Sequence, residues 1–355
     1  MIPQSALNAQ AASLVEAWEY SPEDRLLHLL PLHHIHGTVN GIITPVLAGS
    51  VIEFMFPFNP DSVWRRLAAP FQQSKSSENA KEITFLTAVP TIYNKLLSTF
   101  PSLPPETHHS ARQSISPAHL RLNISGSAAL PTPTKQAWQD LSNGNVLLER
   151  YGMTEVGMAI SCGLHFDDRV DASVGWPLPS VEARLVDTDT NTVIEPGHEV
   201  DSSTGREREG EIQLRGPCVF KEYWGNEKAT NEAFVEDSDG GGKWFRTGDV
   251  ATRRVVSTAG KGASGEWAQG PMYFIQGRQS VDIIKTGGEK VSALEVEREL
   301  LSLYVPVSYP CLHPLVHDYR HTDRRVKSPN NRSSSTSPSL RTMGSKGRRR
   351  DYTAP

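Results

Sequence analysis

The chain has 355 residues, 36 Lys/Arg against 40 Asp/Glu, a formal net charge of −4 and 37% apolar residues, which fits a globular protein of one large domain or two to three ordinary ones. No run approaches the roughly 18 apolar residues of a membrane span, and Met1–Gln4 opens no signal peptide, so the chain reads as intracellular, cytoplasmic or mitochondrial, with no targeting signal visible. Cys162, Cys218 and Cys311 are odd in number and form no CxxC pair, so neither a disulfide framework nor a structural zinc site is expected.

Apolar runs at Arg25–Leu30, Val51–Met55, Ile83–Thr87, Leu120–Ile124 and Val146–Leu148 read as buried strands. Amphipathic stretches at Pro60–Phe71, Pro90–Phe100 and Pro133–Leu141 lie between them and open on Pro, which suits a first helical turn. The alternation predicts an α/β fold with a mainly parallel sheet flanked by helices. After about Ser173 the strands become short and are set between Gly-rich turns: Val181–Val186, Glu211–Arg215, Asp249–Val256 and Met272–Gln276. They predict a smaller β-rich subdomain. Asp201–Glu209, Glu236–Gly242 and Ser257–Gly270 read as polar surface insertions. A last helix, Ala293–Leu303, follows a capping box of Ser292 and Glu295.

Beyond that helix periodicity stops. Ten Lys/Arg and three Asp/Glu between Asp318 and Pro355 give a net of +7, leaving 26 and 37, a net of −11, in the rest. The acidic body excludes nucleic acid as its expected partner. The basic tail reads as disordered.

Three constellations carry chemistry. In Leu147–Val156, a strand ends on Tyr-Gly and turns into Thr154-Glu155. That edge of an α/β sheet is where ligands bind, and a hydroxyl beside a carboxylate suits a phosphate oxygen and its Mg²⁺. The plain alternative is a turn with a capping Thr and a solvated Glu. In Trp244–Asp249, a carboxylate after Thr-Gly can turn both oxygens to a diol, or be an ordinary turn. In Phe274–Glu289, Arg278 sits on a tight turn and Gly287-Gly288 permit close backbone approach, or the segment is a plain hairpin.

In this order and spacing, together with GEIQLRGPCVFKEYW at 210–224, the motifs resemble the adenylate-forming superfamily of acyl-CoA synthetases, luciferases and peptide-synthetase adenylation domains. The resemblance runs from about Ala6 to Leu303. Within it, LLHLLPLHHIHG at 26–37, NISGSAALP at 123–131 and ERYGMTE at 149–155 look most like malonyl-CoA synthetases. A substrate with a second carboxylate needs a cation in its pocket, because an unpaired buried charge is costly. Arg150, His34 and His36 stand beside the expected site, with Arg121 a second candidate cation. A surface ion pair with Glu149 or another acid is the alternative for Arg150, and a backbone-bonded structural role the alternative for His36.

The resemblance implies an acid–thiol ligase. A carboxylate attacks the α-phosphate of ATP to give acyl-adenylate and pyrophosphate, and coenzyme A then displaces AMP. It also implies site roles. Glu155 would hold Mg²⁺, Thr154 would contact phosphate and Tyr151, with Gly152 beside it, would stack on adenine. Gly126, Ser127 and Ala128 would line the adenine and acyl pocket, Asp249 would grip the ribose, and Arg278 the ribose or phosphate. Asp282 matches the hinge of a C-terminal lid; Lys285, Gly287 and Gly288 match the segment that approaches CoA. The implied organisation is an α/β portion of an AMP-binding domain at 1–172, its β-rich subdomain at 173–277, hinge and lid start at 278–303, and an unrelated tail at 304–355.

Two family features find no match: a phosphate-binding loop of the type SGTTGxPKG, and a lid lysine in a PKTxxGK setting. The chain is therefore expected to be an incomplete core, truncated at both ends, with thioester synthesis impaired. The competing expectation is a non-catalytic nucleotide-binding or regulatory remnant whose basic tail meets an anionic partner. Oligomeric state stays open.

Overall fold

The computed structural model describes residues 1–72, 80–237, 240–286 and 289–302. Gly287, Gly288 and the 304–355 tail lie outside the described residues. The first sheet collects β1 (Arg25–His28), β2 (Val51–Phe54), β3 (Phe85–Ala88), β4 (Leu122–Ser125), β5 (Leu148–Met153), β6 (Gly157–Ser161) and β7 (Trp176–Pro177). Its spatial order is β2-β1-β3-β4-β5-β6-β7. The first five strands run parallel; β6 and β7 pair antiparallel.

Central strands β3 and β4 are buried at every residue, whereas β2, at the edge, is not. Side chains alternate between two faces. Leu26 and Phe85 join one apolar cluster, while their neighbours Leu27 and Leu86 join the other. On the Leu27 face pack α3 (Pro60–Ala68), α4 (Pro90–Thr99), α5 (Pro105–Ser114) and α6 (Thr132–Leu141). Asn59 starts α3 by accepting the Ser62 amide at 2.9 Å, Pro60 fills its first turn, and Val63, Trp64, Leu67 and Ala68 form its buried stripe. Trp64 and Trp138 are fully buried, each a position where truncation to Ala costs about 3–5 kcal/mol. On the Leu26 face lie α1 (Gln4–Ala17) and a π-helical segment, His36–Ile43, that runs into α2 (Thr44–Ala48).

The second sheet is antiparallel. It contains β8 (Glu182–Asp187), β9 (Val193–Ile194), β10 (Gly210–Arg215), β11 (Phe234–Glu236), β12 (Lys243–Arg254) and β13 (Met272–Arg278), in the order β11-β12-β10-β8-β9 with β13 on β12. A short helix, α7 (Glu227–Ala233), precedes β11. A hairpin of β14 (Ile283–Thr286) and β15 (Glu289–Ser292) leads into α8 (Ala293–Ser302), where Ser292 Oγ accepts the Glu295 amide at 3.1 Å.

Ser257–Gly270 lies mostly at the surface, as expected, and is tied down there: Asp168, buried, accepts the Gly260 amide at 3.0 Å and the Ser264 hydroxyl at 2.6 Å. Trp176 Nε1 donates to Gly270 O at 3.0 Å, and Ala268 is fully buried. Short polar residues hide this packing from a composition count, because the apolar surface they meet belongs to other segments.

Candidate active site

A parallel order of 2-1-3-4-5 reverses direction between β1 and β3, and in open α/β sheets ligands bind outside the C-terminal strand ends at such a point. Four such ends meet. His36 follows β1, Thr87 is in β3, Ser127 follows β4 and Arg150 is in β5. Alternation along β5 divides its charges. Glu149 turns to α6 and pairs with the buried Lys135 ammonium at 2.8 Å. Desolvation would lower Lys135, but the Glu149 carboxylate outweighs it and the ammonium stays charged. Arg150 turns the other way, so the Arg150–Glu149 surface pair is excluded: the residues lie on opposite faces and Arg150 is 4% exposed.

The Arg150 guanidinium donates through Nη2 to His36 Nδ1 at 2.5 Å and to Ser127 Oγ at 3.2 Å. Since guanidinium only donates, Nδ1 must accept, so Nε2 bears the proton and donates to Thr87 Oγ1 at 2.6 Å. Burial first, then the charge of Arg150, holds His36 well below the usual histidine range, so the ring is neutral. Burial pushes Arg150 itself down to about 9. Among the described residues no carboxylate lies within ion-pair distance of it, and its Nε has no partner. Arg121 is a different case, gripped bidentately by Asp24 at the N-terminal ends of the strands. Gly126 makes room for Arg150: a Cβ there would meet Nε and Cζ at 2.5 Å. Ser127 holds a left-handed backbone, φ +68°, which a non-glycine residue keeps only under constraint.

The second group lies between the sheets. Tyr151 OH donates to Asp249 Oδ2 at 2.6 Å, and Arg278 Nε donates to Oδ1 at 3.0 Å. Burial and then Asp249 push Tyr151 well up, so it stays a donor. A cavity of about 710 Å³ opens beside them, lined by Thr154, Glu155, Tyr223, Arg246, Gly248 and Arg278 among others. Glu155 accepts from Tyr223 OH at 3.0 Å, and its carbonyl accepts the Phe220 amide at 2.7 Å. Burial, then that carboxylate, raises Tyr223 to about 12. Among the described residues no group of three or more His, Cys, Asp or Glu could cage a metal.

Of the residues singled out in the sequence, Arg150, His36, Ser127 and Gly126 form the first group. Tyr151, Asp249, Arg278, Glu155 and Thr154 surround the second, with Gly152 packed against Gly157 O. Ala128 is exposed beside Ser127. His34 does not join Arg150; it is exposed, its ring against His33 at 4.3 Å between centroids. Asp282 caps the turn after β13, accepting the Arg278 amide at 2.9 Å. Lys285 lies in β14, and nothing is described of its side chain. Thr87, Lys135 and Tyr223 went unmarked in the sequence. Tyr223 stands in the quoted 210–224 segment, which was its only signal.

The model of the AMP-binding enzyme family matches residues 1–224. A CoA ligase of Gibberella moniliformis is 58% identical over 320 residues, covering 85% of this chain and 52% of that protein. The mitochondrial malonate–CoA ligase ACSF3 of Xenopus laevis is 41% identical over 310 residues, covering 83% of this chain and 48% of its own. A solved structure of ATP-bound MatB from Rhodopseudomonas palustris superposes with a TM-score of 0.64 at 31% identity, covering 86% of this chain and 50% of that one. The chain thus spans about half the length of the curated relatives it matches. Its two sheets and flanking helices are the adenylate-forming enzyme fold, and with the family model spanning the whole crevice-bearing sheet, this chain belongs to the AMP-binding enzyme family.

Proposed function

We propose that this chain carries the acyl-adenylate site of an acid–CoA ligase whose acid bears a second carboxylate, malonate or methylmalonate. The observation that carries the reading is Arg150, a buried guanidinium bonded to His36 and Ser127 at the C-terminal side of the parallel strands, with no carboxylate within ion-pair distance among the described residues. An uncompensated charge in that position is unfavourable unless an anion completes it. The malonate–CoA ligases among its relatives support the choice of anion.

In this reading Arg150 holds the distal carboxylate and neutral His36, locked by Thr87, keeps the guanidinium turned to the crevice. The other carboxylate then faces the α-phosphate of ATP. Tyr151, Gly126, Ser127 and Ala128 border the adenine and acyl groups, and Asp249 with Arg278 takes the ribose. Glu155, beside Thr154, would hold Mg²⁺, which offsets charge on the phosphates as the acyl–phosphate bond forms. Pyrophosphate leaves, and the CoA thiolate then displaces AMP to give the thioester. The Asp282 turn and the 285–288 segment are assigned to the CoA-directed half. The mitochondrial location named for the vertebrate relative supports an intracellular, mitochondrial setting.

The test is calorimetric titration of the 355-residue chain with malonyl- and acetyl-sulfamoyl adenosine, stable mimics of the two adenylates. The malonyl mimic is expected to bind at least about tenfold more tightly, one charge-assisted hydrogen bond's worth. Equal affinities would refute the dicarboxylate assignment, and absence of binding by either would refute the adenylate site.

A further inference from the structure

The carboxylate Asp249 is presented by a break in pairing between β12 and β10. Glu211 faces Val250, yet Gln213, two residues on, faces Arg246, four residues back. Thr247, Gly248 and Asp249 thereby oppose the single residue Ile212 and leave the β10 ladder as a bulge, although Asp249 still pairs with Arg278 of β13, and bulges re-aim side chains. Gly248 takes φ +73°, a conformation that glycine adopts freely.

Glu211 fills the gap the bulge leaves. It is 5% exposed. Its Oε1 accepts the Gly248 amide at 3.1 Å, and its Oε2 accepts from Arg246 Nε at 3.1 Å. The other bonds of the turn complete the frame. Thr247 Oγ1 donates to Ile212 O at 2.7 Å and accepts the Asp249 amide at 3.1 Å, and Gly248 O accepts the Gln279 amide at 2.9 Å. Glu211 spans the turn from one side to the other, while Arg278 reaches the Asp249 carboxylate from β13.

We infer that Glu211 is a positioning residue for ribose recognition: by clamping Arg246 and Gly248 it fixes the bulge that aims Asp249 at the two ribose hydroxyls. The inference rests on the assignment of Asp249 to ribose given above. A carboxylate whose direction is fixed discriminates for a diol, whereas one on a loosened turn still tolerates the nucleotide but no longer selects for its hydroxyls.

The experiment titrates the full chain with AMP and with 2′,3′-dideoxy-AMP, which lacks both hydroxyls, for the parent, D249N, E211A and E211Q, after circular dichroism has verified folding. The parent is expected to prefer AMP by about tenfold or more, and D249N to lose that preference. E211A is expected to bring the ratio to about one while leaving dideoxy-AMP affinity within about twofold of the parent. E211Q can still accept from Gly248 but sets an amide donor against Arg246, so its ratio falls by at least about threefold. If the parent does not distinguish the nucleotides, or D249N keeps the distinction, the ribose assignment falls and the inference with it. If parent and D249N behave as expected but E211Q keeps the parental ratio, the clamp alone is overturned, whether or not E211A folds. A parallel loss of affinity for both nucleotides in the Glu211 variants also overturns it, because that is the signature of general damage.

Discussion

Replacing Arg150 by Met separates binding from stability. Burial brings this guanidinium to about 9, against about 12.5 for a free one, and at about 1.36 kcal/mol per pH unit the charged native state bears a penalty on the order of 5 kcal/mol. Methionine removes the charge but leaves His36 Nδ1 without its donor, a loss of about 1–3 kcal/mol. The unliganded R150M variant is therefore expected to be about 2–4 kcal/mol more stable than the parent, measured by urea unfolding at pH 7. Binding moves the other way. Preference for the malonyl over the acetyl mimic should disappear, a loss of at least about 1.4 kcal/mol for the tenfold expected of the parent. A variant less stable than the parent that still prefers the malonyl mimic would refute the reasoning.

Gly126→Ala places a Cβ 2.5 Å from the Arg150 guanidinium, which must move; preference for the malonyl over the acetyl mimic should drop, as titration will show. His36 is depressed in the native state, so on acidification from pH 7 to 5 the unfolded chain takes up a proton that the native ring refuses. Stability falls through that window by up to about 1.4 kcal/mol per pH unit, and urea midpoints of H36Q should show a shallower fall. Lys135→Met strands the Glu149 carboxylate and should cost about 3–5 kcal/mol, whereas adding Glu149→Leu should recover most of it; urea unfolding of both variants decides.

Much of the fold was legible because its parallel strands are short apolar runs between helices that open on Pro. Several elements were not, helix α1 and strand β6 among them. Helix α1 buries Gln10 and Ser13 among alanines, so its stripe is faint in the sequence. Strand β6 is continuous with the Tyr151–Glu155 motif and pairs back antiparallel onto β5, which no local period announces. The motifs located the site, but their partners lie far off along the chain. Thr87 is 51 residues from His36, and Tyr223 is 68 from Glu155. His34 and His36 looked alike in the sequence. Only the π-helical turn that begins at His36 decides which one is buried against Arg150.

The opposed Glu149 and Arg150 also guard how β5 is seated. Slipping the strand by one residue would turn every side chain to the other face. Glu149 would then enter the crevice, and Arg150 would be driven against the Lys135 ammonium, like charge on like in a dry interior. The Lys135–Glu149 pair thus works as a key that fits only one alignment of the strand, and the polarity of the ligand crevice is checked from the far side of the sheet.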